Sequence, residues 1–172
     1  LAKSTLLGLA LGLPIVALEL KHQAVSQVWN VHHAVAQFAQ RDHAQPIFRL
    51  PFLYLAADTT EVKMATDPRK EGNFRWFNTG LVNAPITPPG ADGVGEYAVE
   101  YLYREVLSPA FLLEALAYLL VWVPPRVASA EKPARDAFTL FPRYHQQRMV
   151  RKVADAALAG FVATGEAGGK YL

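Results

Sequence analysis

The first forty residues combine an uncharged apolar run with a helical pattern. Residues 4–18 carry no charge, and residues 20–41 then place apolar side chains at every third or fourth position. That spacing is typical of one face of an α-helix. Because no turn signal separates the two stretches, we expect one long helix from Ser4 to about Gln40. Three environments fit its apolar half: a membrane, a partner surface or a soluble core.

Residues 46–95 are predicted to be an irregular arm. Residues 52–57 are apolar and fit a short helix or an edge strand. Residues 58–61 resemble the capping sequence of a further short helix. Residues 79–95 contain three prolines and four glycines, which predicts a long loop of the kind that lies across a neighbouring protein.

A second apolar run follows an amphipathic segment at residues 96–107. Ser108 and Pro109 are typical of a helix start, and Pro124 stops the helix. Residues 106–125 contain one charged side chain, Glu114, and fit either a membrane-embedded helix or a buried core helix. Trp122 lies toward the end that bears Arg126, where an interfacial aromatic is expected.

Glu114 is unusual because it is a carboxylate within an apolar helix. Such a group is expected to be protonated, paired or functional. We expect it to meet an arginine or a backbone amide of an adjacent chain, and a role in a proton path is the alternative.

The last predicted helix opens at Pro142 and runs to about Thr164. Its polar face is basic, although the start of a helix favours anions. We therefore expect these cations to contact lipid phosphates or an acidic subunit, with a solvated basic face as the alternative. The cations concerned are Arg143, Arg148, Arg151 and Lys152.

These elements predict a mainly α-helical fold in four segments. The segments are 1–45 (long helix), 46–95 (arm), 96–125 (amphipathic and hydrophobic helices) and 126–172 (basic helix and tail). The predicted contacts to a partner or to lipid are Trp76, Glu114, Trp122, Arg126, Arg143, Arg148, Arg151 and Lys152.

Composition supports a surface covered by lipid or protein. The 172 residues are 52% hydrophobic and only 19% charged, against about 25% charged in an ordinary soluble domain. The net charge of +2 is small, so nucleic acid is not expected as the main partner. The absence of cysteine excludes disulfide scaffolds, thiolate metal sites and cysteine nucleophiles.

No pattern in the sequence indicates catalytic chemistry. His22, His32 and His33 lack the i,i+4 spacing of a helical metal clamp. The serines have no nucleophile-elbow context, and no phosphate-binding loop occurs. We therefore expect no catalytic residue, no metal and no cofactor.

The overall profile resembles the accessory subunits of mitochondrial inner-membrane assemblies. The chain is small, begins at Leu1 as if a presequence had been removed, and combines hydrophobic segments with a long arm. The resemblance implies a noncatalytic structural subunit of a respiratory complex or ATP synthase, bound to other subunits and to membrane lipid. Two alternatives stay open: a soluble all-helical ligand-binding domain, and a small redox or proton-transfer subunit that uses His22, His32, His33 or Glu114.

Overall fold

A mixed five-stranded β-sheet lies at the centre of the protein. The computed structural model describes residues 5–10, 12–21, 30–84, 97–128 and 132–164. The prediction of a mainly α-helical fold is wrong, because the chain has 40% helix and 21% strand. Spatial order follows chain order: β1 (Thr5–Ala10), β2 (Leu13–Leu20), β3 (Leu53–Ala57), β4 (Val62–Ala65) and β5 (Arg75–Trp76). Only the β2–β3 pair among these is parallel.

The first half of the helix predicted from Ser4 to about Gln40 is instead the hairpin of β1 and β2, whereas Val31–Ala39 is helical. Gly12 has a φ of +80°, which lets the chain reverse between the strands, since side-chain-bearing residues rarely adopt that angle. Strand β2 is buried on both faces: Val16 and Leu18 enter one core, whereas Ala17 enters the other. A strand buried on both sides needs no polar alternation, and this accounts for the uncharged run.

Two apolar layers cover the sheet. Helix α1 (Val31–Ala39) packs on one face through Val31, Ala34, Val35 and Phe38. The opposite face carries the larger core, which joins the sheet to the C-terminal elements. Its central aromatic contacts link Phe77 to Phe141 and Tyr144, with ring centroids 6.3 and 5.8 Å apart.

Asp58 binds the first residue of α1, and β4, not the predicted helix, follows it in the chain. Its Oδ2 accepts a 2.9 Å hydrogen bond from the Val31 N–H. Its Oδ1 accepts from the N–H groups of Thr60 and Glu61, both at 2.8 Å. Residues 58–61 are therefore the turn between β3 and β4. Residues 52–57, expected to form a short helix or an edge strand, supply the central strand β3.

The second apolar run is divided among several short elements. A π-helical turn (Leu102–Val106) precedes α2 (Pro109–Glu114), a second π-helical turn (Ala115–Leu119) and β6 (Val121–Val123). Ser108 caps α2 as predicted, and its Oγ accepts from the Phe111 N–H at 3.2 Å. Within the described residues, no helix has the length and apolar character needed to cross a bilayer. The predicted helix begins at Pro109 but does not continue to Val123, because the β-branched Val121 and Val123 lie in β6 and pair with β7.

The C-terminal elements complete the fold. Strand β7 (Phe138–Leu140) pairs antiparallel with β6. Helix α3 (Tyr144–Thr164) begins after Pro142, which confirms the last predicted helix. Short 3₁₀ turns occupy Pro46–Phe48 and Glu71–Asn73. The prediction of an irregular arm over residues 46–95 is wrong, because β3, β4 and β5 lie in this range. Residues 85–95 of its Pro/Gly-rich loop lie outside the described residues.

Candidate functional site

A buried group of ionic and polar side chains lies between β2 and α1. The Glu19 side chain has no exposed surface. Its Oε1 accepts from Lys21 Nζ at 3.3 Å, and its Oε2 accepts from a terminal nitrogen of Arg41 at 2.8 Å. Lys21 Nζ also donates to Oε1 of Gln37. We call these four residues, Glu19, Lys21, Gln37 and Arg41, the Glu19 cluster.

Regular secondary structure brings the cluster together. Glu19 and Lys21 are two residues apart on extended chain, so their side chains leave the same face of the sheet. The Lys21 N–H continues the parallel ladder by donating to Ala57 O at 2.9 Å. Gln37 lies on α1, and Arg41 follows one turn later, which places both above that face. The guanidinium of Arg41 also stacks over the Phe48 ring at 4.8 Å.

The Glu19 cluster contains two cations and one carboxylate, and all three side chains are largely shielded from water. The side chains of Lys21 and Arg41 are only 11% and 17% exposed. Burying a charge is costly unless it is paired, and the two cations meet this requirement for Glu19. Within the described part of the chain, the amide nitrogen of Gln37 is buried and has no hydrogen-bond acceptor. The cluster therefore combines a carboxylate, two cations and an unsatisfied donor.

A second group of polar and aromatic side chains lies in the same row of residues across the sheet, on β4 and β5. Strand register places Glu19 opposite Ala56, Ala56 opposite Lys63, and Lys63 opposite Trp76. Lys63 Nζ lies 4.2 Å from the centroid of the Trp76 ring, and burial lowers the pKa of the Lys63 ammonium. The Trp76 side chain is 42% exposed and meets the His32 ring edge-on at 6.0 Å.

The residues predicted to contact a partner or lipid do not belong to the Glu19 cluster. Glu114 pairs with Arg151 of α3, so the expected arginine comes from this chain and not from an adjacent one. This hydrogen bond raises the pKa of Arg151. Trp122 lies on β6 with 64% of its surface exposed.

The remaining predicted contacts are spread over the C-terminal elements. Arg126 forms a backbone bridge with Arg135. Arg143 and Lys152 are exposed on or near α3, and the Arg148 guanidinium lies 5.8 Å from the Tyr144 ring centroid. Contact of these side chains with lipid or another subunit stays a prediction.

His33 and His43 have local structural roles. His33 completes the cap of α1 with Asn30, and His43 Nε2 lies 2.9 Å from Phe38 O. His22 lies outside the described residues. No group of three or more histidine, cysteine, aspartate or glutamate side chains in the described ranges is arranged to hold a metal ion.

Comparison with known proteins does not assign the chain to a family. Searches against protein-family models, curated proteins and solved structures find no match.

Sequence reasoning missed the Glu19 cluster. In the helix predicted from Ser4 to about Gln40, helical spacing would separate Glu19 from Lys21 by about 200°. The available signal was the alternation of Glu19, Leu20 and Lys21 after the β-branched Ile15 and Val16. On a strand, that alternation puts both charged groups on one face.

Proposed function

We propose that the Glu19 cluster binds a phosphodiester of a nucleic acid and takes part in its hydrolysis. The observation that carries this proposal is the Glu19 carboxylate, fully buried and yet bonded to both Lys21 and Arg41. Desolvated titratable groups with specific charged partners are enriched at functional sites. A purely structural sheet residue at this position would be expected to be apolar, as Val16, Ala17 and Leu18 are.

A phosphodiester suits the cluster because it is anionic and the cluster contains two cations, Lys21 and Arg41, beside one carboxylate. Lysine and arginine side chains are the usual protein ligands of phosphate oxygens. The carboxylate is the type of ligand that Mg²⁺ prefers, and Mg²⁺ is commonly held by one or two carboxylates together with substrate phosphates. At the Glu19 cluster a divalent cation would replace the hydrogen bond from Lys21 or from Arg41 at the carboxylate, because Glu19 has no exposed surface and each of its oxygens already accepts one of these bonds.

In the proposed reaction, water adds to phosphorus and the bond to one sugar oxygen breaks. The products are a phosphate monoester and a free hydroxyl group, and the proton from water ends on the leaving oxygen. A divalent cation would activate the water and neutralise developing charge. Lys21 and Arg41 would bind the nonbridging oxygens, and Gln37 would position the Lys21 ammonium through the hydrogen bond that it accepts.

Replacing Lys21 tests this proposal directly. Lys21→Met keeps most of the side-chain length and removes the charge. We expect it to slow cleavage by about a hundredfold or more, the usual effect of deleting one preorganised electrostatic contact to a transition state. The measurement is Mg²⁺-dependent cleavage of end-labelled single-stranded and double-stranded oligonucleotides by the full chain.

Two further variants make the result interpretable. Glu19→Gln is nearly isosteric and should also abolish cleavage, with circular dichroism to check folding. Lys152→Met removes the same charge from an exposed position on α3 and should leave the rate unchanged. The proposal is overturned if the wild-type chain cleaves no oligonucleotide with Mg²⁺ or Mn²⁺, or if folded Lys21→Met cleaves at the wild-type rate.

A second candidate function, a noncatalytic subunit bound to other proteins, is favoured by an exposed apolar surface. Contiguous exposed apolar area often marks an interaction site. The exposed side chains lie on α2, the turn after it, β6 and α3: Leu113, Leu116, Tyr118, Trp122, Met149, Val150, Val153, Leu158 and Phe161. Membership of a mitochondrial membrane complex stays a prediction, and its two supposed hydrophobic helices no longer support it.

Measuring the oligomeric state of the purified chain tests whether its exposed apolar surface needs a partner. If the surface requires a partner, the purified chain should self-associate or need detergent, as judged by size exclusion with light scattering. A monodisperse monomer without detergent would contradict the partner-bound function and leave the hydrolytic proposal unaffected.

A further inference from the structure

We propose that a basic groove between the β4–β5 connection and β7 binds the backbone of a single-stranded nucleic acid. This inference deepens the proposed function and takes the class of ligand from it. The groove lies at the opposite end of β4 from Val62 and does not include the Glu19 cluster. It is therefore a separate binding surface with its own residues.

The groove consists of two adjoining cavities. Their volumes are about 590 and 400 Å³, and both are lined by residues 66, 67, 69 and 137–139. A hydrogen bond from Thr66 Oγ1 to Thr139 O, 2.6 Å long, joins the two walls. The two walls of the groove are therefore tied together at this point.

The charge of the groove is strongly positive, although the whole chain is nearly neutral. The two carboxylates in its walls are Asp67 and Asp136. Five cations face them, which leaves a net charge of +3 with His43 counted as neutral. The five are Arg49, Arg69, Lys70, Arg75 and Arg135.

Only part of this positive charge is neutralised inside the groove. Arg69 forms two 2.8 Å hydrogen bonds to Asp67, and these hold the pKa of the Asp67 carboxyl below its usual range. Arg75, by contrast, donates to the backbone carbonyls of Gly72 and Phe74. Its charge is therefore available to a polyanion.

An aromatic ring beside these cations favours nucleic acid over an acidic peptide. The Arg135 guanidinium lies 4.7 Å from the centroid of the Phe138 ring, and both residues line the larger cavity. Proteins that bind single strands combine cationic grooves with aromatic rings on which bases stack. A segment of aspartate and glutamate offers no flat group for that ring, and a duplex keeps its bases stacked inside.

Binding of a labelled oligo(dT) of about a dozen nucleotides tests the groove. Fluorescence anisotropy of the full chain is measured in EDTA, which prevents cleavage, over a series of NaCl concentrations. Lys70→Gln/Arg75→Gln should weaken binding about tenfold at low salt. It should also reduce the slope of log affinity against log salt by about 1.4, since each single-strand phosphate contact contributes about 0.7.

The matched control removes two cations elsewhere. Arg148→Gln/Lys152→Gln on α3 should change affinity less than twofold, and thermal unfolding should show that both double variants remain folded. Equal losses in the two variants would overturn the inference, because the attraction would then be nonspecific. It is equally overturned if oligo(dT) does not bind, or if oligoglutamate of equal length binds more tightly.

The outcomes distinguish the groove from the hydrolytic site. Binding that depends on Lys70 and Arg75 without any cleavage in Mg²⁺ would support the groove and overturn hydrolysis. Cleavage with an unchanged KM for single strands in Lys70→Gln/Arg75→Gln would support hydrolysis and overturn the groove.

Discussion

Glu19→Ala is expected to lower the free energy of unfolding by about 3–5 kcal/mol, the usual cost of removing one partner from a buried ion pair. The substitution leaves the Lys21 and Arg41 charges close together beneath α1, where their side chains are only 11% and 17% exposed. It also removes the acceptor of both hydrogen bonds. Urea denaturation at neutral pH, followed by circular dichroism, measures the change.

The ion pair between Glu100 and Arg104 provides the control. These residues are one turn apart, and Arg104 Nε lies 3.1 Å from Glu100 Oε1 with the arginine side chain 62% exposed. Because water screens such a pair, Glu100→Ala should cost less than about 1 kcal/mol. Similar losses for Glu19→Ala and Glu100→Ala would show that the Glu19 cluster is not desolvated.

Phe77→Ala is expected to destabilise the protein by about 3–5 kcal/mol, the range for truncating a buried phenylalanine. Phe77 has no exposed surface, and its ring lies between those of Phe141 and Tyr144. It therefore joins the sheet to the segment that leads into α3. The free energy of unfolding from urea titration is the measurement, with near-ultraviolet circular dichroism reporting the loss of aromatic packing.

Two control substitutions test whether the loss of stability comes from the buried aromatic ring. Phe77→Leu keeps much of the apolar volume and should cost about half as much or less. Trp76→Ala changes the adjacent residue, which is 42% exposed, and should also cost less than Phe77→Ala. If Phe77→Ala is no more destabilising than Trp76→Ala, the aromatic core does not connect the two parts of the fold as described.

The elements correctly predicted from the sequence depend on local chemistry. Ser108 caps α2 through its own hydroxyl, and Pro142 precedes α3. Both signals act within a few residues of the element that they begin, so they can be recognised without knowing the rest of the fold. The arginine partner of Glu114 could be predicted for a similar reason, since a carboxylate in an apolar segment requires one.

The N-terminal hairpin could not be predicted from periodicity alone. An apolar run can be a buried helix or a strand covered on both faces, and the two have the same composition. Here β2 is covered by α1 on one side and by the C-terminal elements on the other, and the second cover comes from a distant part of the sequence. Gly12 and Pro14 were the local signals of a turn.

The Glu19 cluster and the basic groove were missed because both depend on tertiary contacts. Arg41 lies 22 residues from Glu19, and Arg135 lies 60 residues from Arg75 in the sequence. The total charge of +2 argued against a nucleic-acid partner, yet binding responds to the local field and not to the sum over the chain. A total cannot reveal charges that folding gathers on one surface.

The parallel pairing of β2 with β3 has a consequence for how the protein reaches its native state. Parallel neighbours cannot be joined by a tight turn, so the ladder from Val16 to Ala57 closes only after the chain has made a full crossover through α1. Closing that loop lowers the conformational entropy of the chain before the contacts between β2 and β3 form. Gln37 lies on α1 within this crossover and accepts from Lys21, so we expect the Glu19 cluster to form together with the β2–β3 pairing.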